Sequence, residues 1–127
     1  RVTQLHESGK RCVVHLDGTI PGLIDRLAGC GIDGIEALTP KPVGTVAAKD
    51  LRGLARDETV VLWGGLPSTI FAGSFPRAEF ERYLREFVEI AIRDSRIIVG
   101  SADQISPDAD LDRVRRVSEA VEAVRSV

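Results

Sequence analysis

The sequence predicts an α/β fold made of four βα units with parallel strands. Short runs of β-branched and other apolar residues alternate with longer segments of helical period, and this order recurs four times. All four short runs are apolar on both faces, which is typical of parallel strands covered by helices. A complete (βα)8 barrel takes about 250 residues. Four units in 127 residues therefore indicate half of a TIM barrel, with an open doubly wound sheet as the alternative.

The first two units fill the N-terminal half of the chain. Residues 2–10 precede them and have the pattern of the last turns of a helix that ends near Gly9. Glycines end the helix of the first unit, and prolines in the loop 39–44 delay the helix of the second. The predicted segments are strand 12–16, a helix with apolar positions 20–27, strand 34–38 and a helix near 45–56.

The last two units carry the longest helical patterns. Strand 59–63 is broken by Gly64-Gly65, and its helix begins around 74–76. Strand 97–100 is followed by a helix from about 111 to the end of the chain, with Arg113, Arg115 and Arg116 mostly on its solvated side. Because the first residues continue a helix and residue 1 is not Met, we expect residues 1–127 to be the C-terminal half of a barrel in a longer chain.

Composition narrows the class of protein. Hydrophobic residues make up 43% and charged residues 28% of the chain, as in soluble globular domains. No apolar run approaches the ~18 residues of a membrane span, and the net charge of −2 disfavours nucleic acids and anionic lipids as partners. Cys12 and Cys30 form no zinc or disulfide motif, so we expect buried, reduced thiols and a cytoplasmic protein.

Candidate metal ligands follow the first two strands. His15 and Asp17 are two positions apart at a strand end and therefore project to the same side. Imidazole and carboxylate suit a divalent cation such as zinc, with Glu36 on the next strand as third ligand. The alternative is structural: Asp17 caps the following helix, and His15 is a core histidine bonded to a main-chain carbonyl.

Further polar groups lie at the carboxyl ends of the strands, where both candidate architectures place their active sites. Glu36 lies within an otherwise apolar strand, where a carboxylate needs a partner or a function. Three interpretations are open: Glu36 binds a metal, acts as a general acid or base, or pairs with Lys41. Asp103 either completes an acidic ring as a second catalytic group or bonds local amides. Trp63 and Lys41 are the predicted substrate-binding residues. Gly64-Gly65 allows close approach of a ligand or a neighbouring loop.

Four motifs carry a family resemblance. They are His15-Leu16-Asp17-Gly18, Gly31-Ile32-Asp33-Gly34-Ile35-Glu36, Leu62-Trp63-Gly64-Gly65-Leu66-Pro67, and Asp103-Gln104-Ile105-Ser106-Pro107-Asp108 ahead of Val114-Arg115. Over essentially its whole length the chain resembles the C-terminal half of the uroporphyrinogen decarboxylase superfamily. That resemblance implies a (βα)8 barrel and either decarboxylase or cobalamin-linked methyltransferase activity. The methyltransferase branch holds zinc through a His-x-Cys pair, where this chain has His15 and Asp17.

Three functions remain open at this point. The preferred one is a metal-assisted methyltransferase with zinc at His15, Asp17 and Glu36, a small-molecule substrate and a corrinoid protein as methyl donor or acceptor. The second is a metal-free decarboxylase of a carboxylated or tetrapyrrole substrate. The third is a noncatalytic assembly module, because a half-barrel exposes two sheet edges and should pair with an N-terminal half-barrel or with a second copy.

Overall fold

A computed structural model describes residues 1–125, with four parallel strands in one sheet. The strands are β1 (Val13–His15), β2 (Gly34–Leu38), β3 (Val61–Leu66) and β4 (Ile97–Ser101), and they are neighbours in chain order. Each consecutive pair is parallel. The prediction of an α/β fold with parallel strands is confirmed, and the architecture is consistent with part of a TIM-type barrel.

The helices alternate with these strands, but two of them are shorter than predicted. The helices are α1 (Val2–Glu7), α2 (Ile24–Ala28), α3 (Leu51–Ala55), α4 (Arg77–Arg93) and α5 (Leu111–Arg125), with 3-10 turns at Ala48–Asp50 and Ser68–Phe71. The segment 20–23 does not join α2, because Pro21 is followed by Gly22 with a φ of +81°. The backbone of Ala47 is extended, so α3 begins later than predicted. None of the described helices combines the length and the apolar character of a membrane-spanning segment.

The core lies on one face of the sheet, between the strands and the helices. Ile35 and Leu62 are buried there together with Phe80 and Leu84 of α4. The opposite face, here called the inner face, is bare among the residues described. Its apolar side chains include Val13, Val61, Trp63 and Ile98; three of them are exposed, Val13 by 52%, Trp63 by 41% and Ile98 by 46%. The helices therefore cover one face of the described sheet, as they do in half of a barrel.

The glycine pair of β3 lies inside the strand instead of ending it. Gly64 and Gly65 have φ values of +128° and +93°, and pairing with β4 continues to Leu66. A Cβ on Gly65 would lie 1.8 Å from a ring carbon of Phe87, and a Cβ on Gly64 would lie 3.0 Å from the main chain of Leu38. These glycines allow close approach of neighbouring elements of the fold, which is one of the two alternatives the sequence left open.

Arg113 corrects the prediction that the arginines of the last helix are solvated. Its side chain is only 3% exposed, whereas those of Arg115 and Arg116 are 71% and 36% exposed. Arg113 donates from Nη1 to the carbonyl of Ile70 at 2.6 Å and from Nη2 to that of Phe75 at 2.5 Å. It therefore fastens the loop after β3 to α5. Periodicity places Arg113 on a polar stripe but does not reveal that this stripe faces main-chain carbonyls.

The opposite, amino-terminal ends of the strands are held by Asp33. Its carboxylate accepts hydrogen bonds from the main-chain N–H of Cys12 at 2.7 Å and from Arg11 at 2.9 Å, and lies 2.8 Å from Nε2 of His6. These hydrogen bonds, first that of Cys12, hold the pKa of Asp33 well below its usual range. Both cysteines are free, but Cys12 is only half-buried and Cys30 is exposed, so the expectation that both thiols are buried is wrong.

Candidate functional site

The site is built on His15 and Glu36, which end the paired parts of β1 and β2. The register of the two strands places these residues directly opposite each other. Nδ1 of His15 lies 2.6 Å from Oε2 of Glu36. The side chains are 55% and 29% exposed, so both remain in reach of a ligand from the inner face. The sequence prediction that these two groups meet at the strand ends agrees with this geometry.

A local irregularity follows Glu36. The register between β2 and β3 shifts between Ile35 and Leu38, and Ala37 there has a φ of +66°. This left-handed conformation is costly for a residue with a Cβ, and the hydroxyl of Thr39 donates to the carbonyl of Ala37 at 3.0 Å. Ala37 is not a residue type that favours positive φ, so the sequence contains no signal for this feature.

Negative charge surrounds the imidazole of His15. The pKa of His15 is raised, first by the hydrogen bond to Glu36 and further by the charges of Glu36, Asp17 and Asp103; partial desolvation opposes them. Oδ2 of Asp17 lies 4.0 Å from Nε2 of His15. Asp103 follows β4, the strand farthest from β1, and its charge still contributes. The imidazole thus has Glu36 at Nδ1 and Asp17 near Nε2.

The structural alternative for Asp17 finds no support, because no side chain caps α2, whose N-cap is Leu23. Asp103 is exposed and bonds a local amide, as one of the two interpretations expects; its catalytic role stays a prediction. Its carboxylate accepts a hydrogen bond from the N–H of Gln104 at 2.6 Å, and its charge also reaches His15. Ser101 donates to the carbonyl of Asp103 at 2.6 Å and so helps to fix this loop.

The two predicted substrate-binding residues occupy different places. The pairs Gly34↔Val61 and Ile35↔Leu62 put Trp63 one step further along β3, at the level of Glu36 and on the same inner face. Lys41 instead lines a cavity of about 200 Å³ with Tyr83 on the helix side of the sheet. Within residues 1–125 its ammonium group forms no ion pair, so the proposed Glu36–Lys41 pair is not formed.

The described residues do not form a ready metal site. Across residues 1–125, no three His, Cys, Asp or Glu side chains come together in a group that could hold a metal ion. Nδ1 of His15 is engaged by Glu36, and Asp17 lies 4.0 Å from the other ring nitrogen. In this arrangement the donors of His15, Asp17 and Glu36 do not fit a zinc ion.

Comparison with known proteins supports the fold. No protein family and no curated protein matches the sequence. Among solved structures, a methyltransferase from Methanosarcina mazei is similar, with a TM-score of 0.70 and 19% sequence identity. The similarity covers 96% of this chain and 34% of that one, so the chain spans about a third of the length of the methyltransferase it matches. At this identity the likeness shows a shared fold alone, and the superfamily inferred from the motifs stays a prediction.

Proposed function

We propose that the chain carries the acid–base site of a methyltransferase with a barrel fold. The observation that carries the proposal is the hydrogen-bonded pair of His15 and Glu36 at the carboxyl ends of two parallel strands, the end where barrel enzymes place their catalytic groups. The similar fold of a methyltransferase supports the choice of reaction. Within the superfamily the motifs resemble, it favours methyl transfer over decarboxylation.

In this proposal His15 is the base and Glu36 orients it. Glu36 accepts the Nδ1–H of His15, which fixes the tautomer that leaves a lone pair on Nε2. Nε2 takes the proton of an acceptor such as a thiol. The sulfur forms a bond to the methyl carbon, and the bond between that carbon and the donor breaks with its electron pair remaining on the donor. The raised pKa of His15 makes the imidazole a better proton acceptor, and Asp17 and Asp103 stabilise the imidazolium formed.

A narrower form of the proposal adds a zinc ion and a corrinoid protein. It rests on the resemblance of the motifs alone, because the donors of His15, Asp17 and Glu36 do not converge on one point. Mass spectrometry of the purified chain tests it: about one zinc per chain, lost in the His15→Ala variant, would support this form.

The test of the main proposal is a methyl-transfer assay. The chain is incubated anaerobically with methylcobalamin and 2-mercaptoethanol, and loss of methylcobalamin absorbance is followed together with formation of the methyl thioether. We expect His15→Ala to lower the rate about 10²-fold or more, the usual contribution of general acid–base catalysis. Glu36→Gln should lower it less, because the imidazole keeps a hydrogen-bond partner.

His6→Ala is the matched control. His6 is the other of the two histidines and is also bonded to a carboxylate, but at the opposite end of the strands. It should therefore leave the rate unchanged. Equal rates for wild type and His15→Ala would refute the role of His15. If the chain transfers no methyl group but releases CO₂ from a carboxylated porphyrinogen, the decarboxylase is the better assignment.

A further inference from the structure

We propose that the cavity beside Lys41 is a binding site for a small organic monocarboxylate. This cavity, here called the outer cavity, has a volume of about 200 Å³ and lies between α4 and the loop that follows β2. It is on the helix side of the sheet, whereas His15 and Glu36 are reached from the inner face. The inference therefore does not depend on which reaction the functional site performs.

Two cationic side chains line the outer cavity, those of Lys41 and Arg82. Within residues 1–125, the ammonium group of Lys41 forms neither an ion pair nor a hydrogen bond with the protein. Nη1 of Arg82 lies 3.8 Å from Oε2 of Glu86, and these two side chains are 53% and 42% exposed. An exposed ion pair of this length contributes little stability, so it leaves Arg82 available to a second anion.

The charges that line the outer cavity favour a ligand with a single negative charge. Glu86 lines the cavity together with Lys41 and Arg82, so one carboxylate faces two cations. A monoanion neutralises the remaining positive charge, whereas a dianion would leave an excess of negative charge beside Glu86. The planar fork of a guanidinium matches the two oxygens of a carboxylate. The charge pattern therefore indicates a monocarboxylate.

The loop that carries Lys41 is held by its own main chain. The N–H of Lys41 donates to the carbonyl of Val46 at 2.8 Å, and the N–H of Gly44 donates to that of Pro40 at 3.0 Å. On the other wall, Cζ of Arg82 lies 4.2 Å from the ring centroid of a tyrosine of the same helix, and this contact keeps the guanidinium beside the cavity. Both cations are thus positioned before a ligand arrives, which lowers the entropic cost of binding it.

The remaining walls determine the body of the ligand. Pro40 and Phe87 are buried, Ala47 is half-buried, and the ring of Tyr83 lies beside them. These walls suit a short apolar chain. A water molecule takes about 30 Å³ of liquid, so a cavity of about 200 Å³ accommodates about six heavy atoms. Phosphate has no apolar part and carries more than one charge at neutral pH, so it fits this cavity less well.

Butyrate is the probe, and butyramide, which has the same shape without the charge, is the control ligand. Each is titrated into the ¹⁵N-labelled chain at constant ionic strength, and backbone amide signals are followed by NMR. We expect butyrate to shift the amides of Ala47, Ala48 and Tyr83 with a dissociation constant of about 1–10 mM. Butyramide should bind at least about fivefold more weakly, and phosphate should also bind more weakly than butyrate. Equal binding of butyramide, or no saturable shift with butyrate, would overturn the proposal.

Two lysine variants test the role of charge. Lys41→Gln removes the cation and should raise the dissociation constant for butyrate about fivefold or more. Lys49→Gln makes the same change on the neighbouring 3-10 turn, where Lys49 lines a different cavity. It should change the dissociation constant by less than about twofold, because solvent and salt screen its charge. Equal effects of the two variants would show that butyrate responds to net charge and does not occupy the outer cavity.

A third variant tests the space. Ala47→Leu keeps all charges but fills the outer cavity, and it should abolish the butyrate-dependent shifts in a chain that circular dichroism shows to be folded. Butyrate binding of wild-type strength in this folded variant would place the ligand elsewhere and overturn the proposal. If Ala47→Leu does not fold, Ala48→Leu is measured instead, since Ala48 lines the same cavity.

Discussion

The Gly65→Ala substitution tests the closest approach in the fold. A Cβ at this position would lie 1.8 Å from one ring carbon of Phe87 and 2.2 Å from two others, and the residue has a φ of +93°. A positive φ costs a residue with a Cβ about 1–2 kcal/mol, and overpacking a core costs about 1–3 kcal/mol. We therefore expect the free energy of unfolding to fall by about 2–5 kcal/mol, a large part of the ~5–15 kcal/mol of a typical domain.

Urea denaturation followed by circular dichroism measures this loss. Gly53→Ala is the control, because Gly53 lies inside α3 and its new methyl group would meet no heavy atom within 4 Å beyond the backbone of its own helix; the change should raise stability by up to about 1 kcal/mol. In the Gly65→Ala background, Phe87→Leu should cost less than it does in wild type, because the smaller side chain relieves the overlap. A Gly65→Ala protein within about 0.5 kcal/mol of wild type, the effect of a neutral surface change, would refute the reasoning.

Three further predictions concern charged groups. Arg113→Met removes two hydrogen bonds from a buried cation to main-chain carbonyls and should lower the free energy of unfolding by about 3–5 kcal/mol, whereas Arg115→Met should change it by less than about 0.5 kcal/mol. Glu36→Gln should lower the pKa of His15, read from its imidazole NMR signals; an unchanged pKa would contradict the hydrogen bond. Because the folded pKa of His15 is raised, its stabilising contribution is fully present below the unfolded pKa of 6.5 and is lost as pH rises through the folded pKa. Asp33→Asn should speed hydrogen exchange in α1; exchange as slow as in wild type would show that other contacts hold α1. The pKa of Asp33 is lowered, so its contribution to stability is present above the unfolded value of 3.8 and is lost as pH falls.

The meeting of His15 and Glu36 could be predicted because it depends on topology alone. Carboxyl ends of adjacent parallel strands lie side by side, so two polar residues at those ends must be neighbours. The donor geometry could not be predicted in the same way. Whether Asp17 comes within ligand distance of Nε2 depends on loop backbone that follows no period. The distance of 4.0 Å between Oδ2 of Asp17 and Nε2 of His15 is therefore set by that loop.

The sequence pattern could not predict the bare inner face, for a different reason. Trp63 and Ile98 alternate with core residues in runs that are apolar throughout, and such runs look the same whether the second face packs on helices or on strands of another half. Arg113 shows the same limit on a helix. Its neighbours define a polar stripe, but burial at 3% depends on the loop after β3, which lies about forty residues away in sequence.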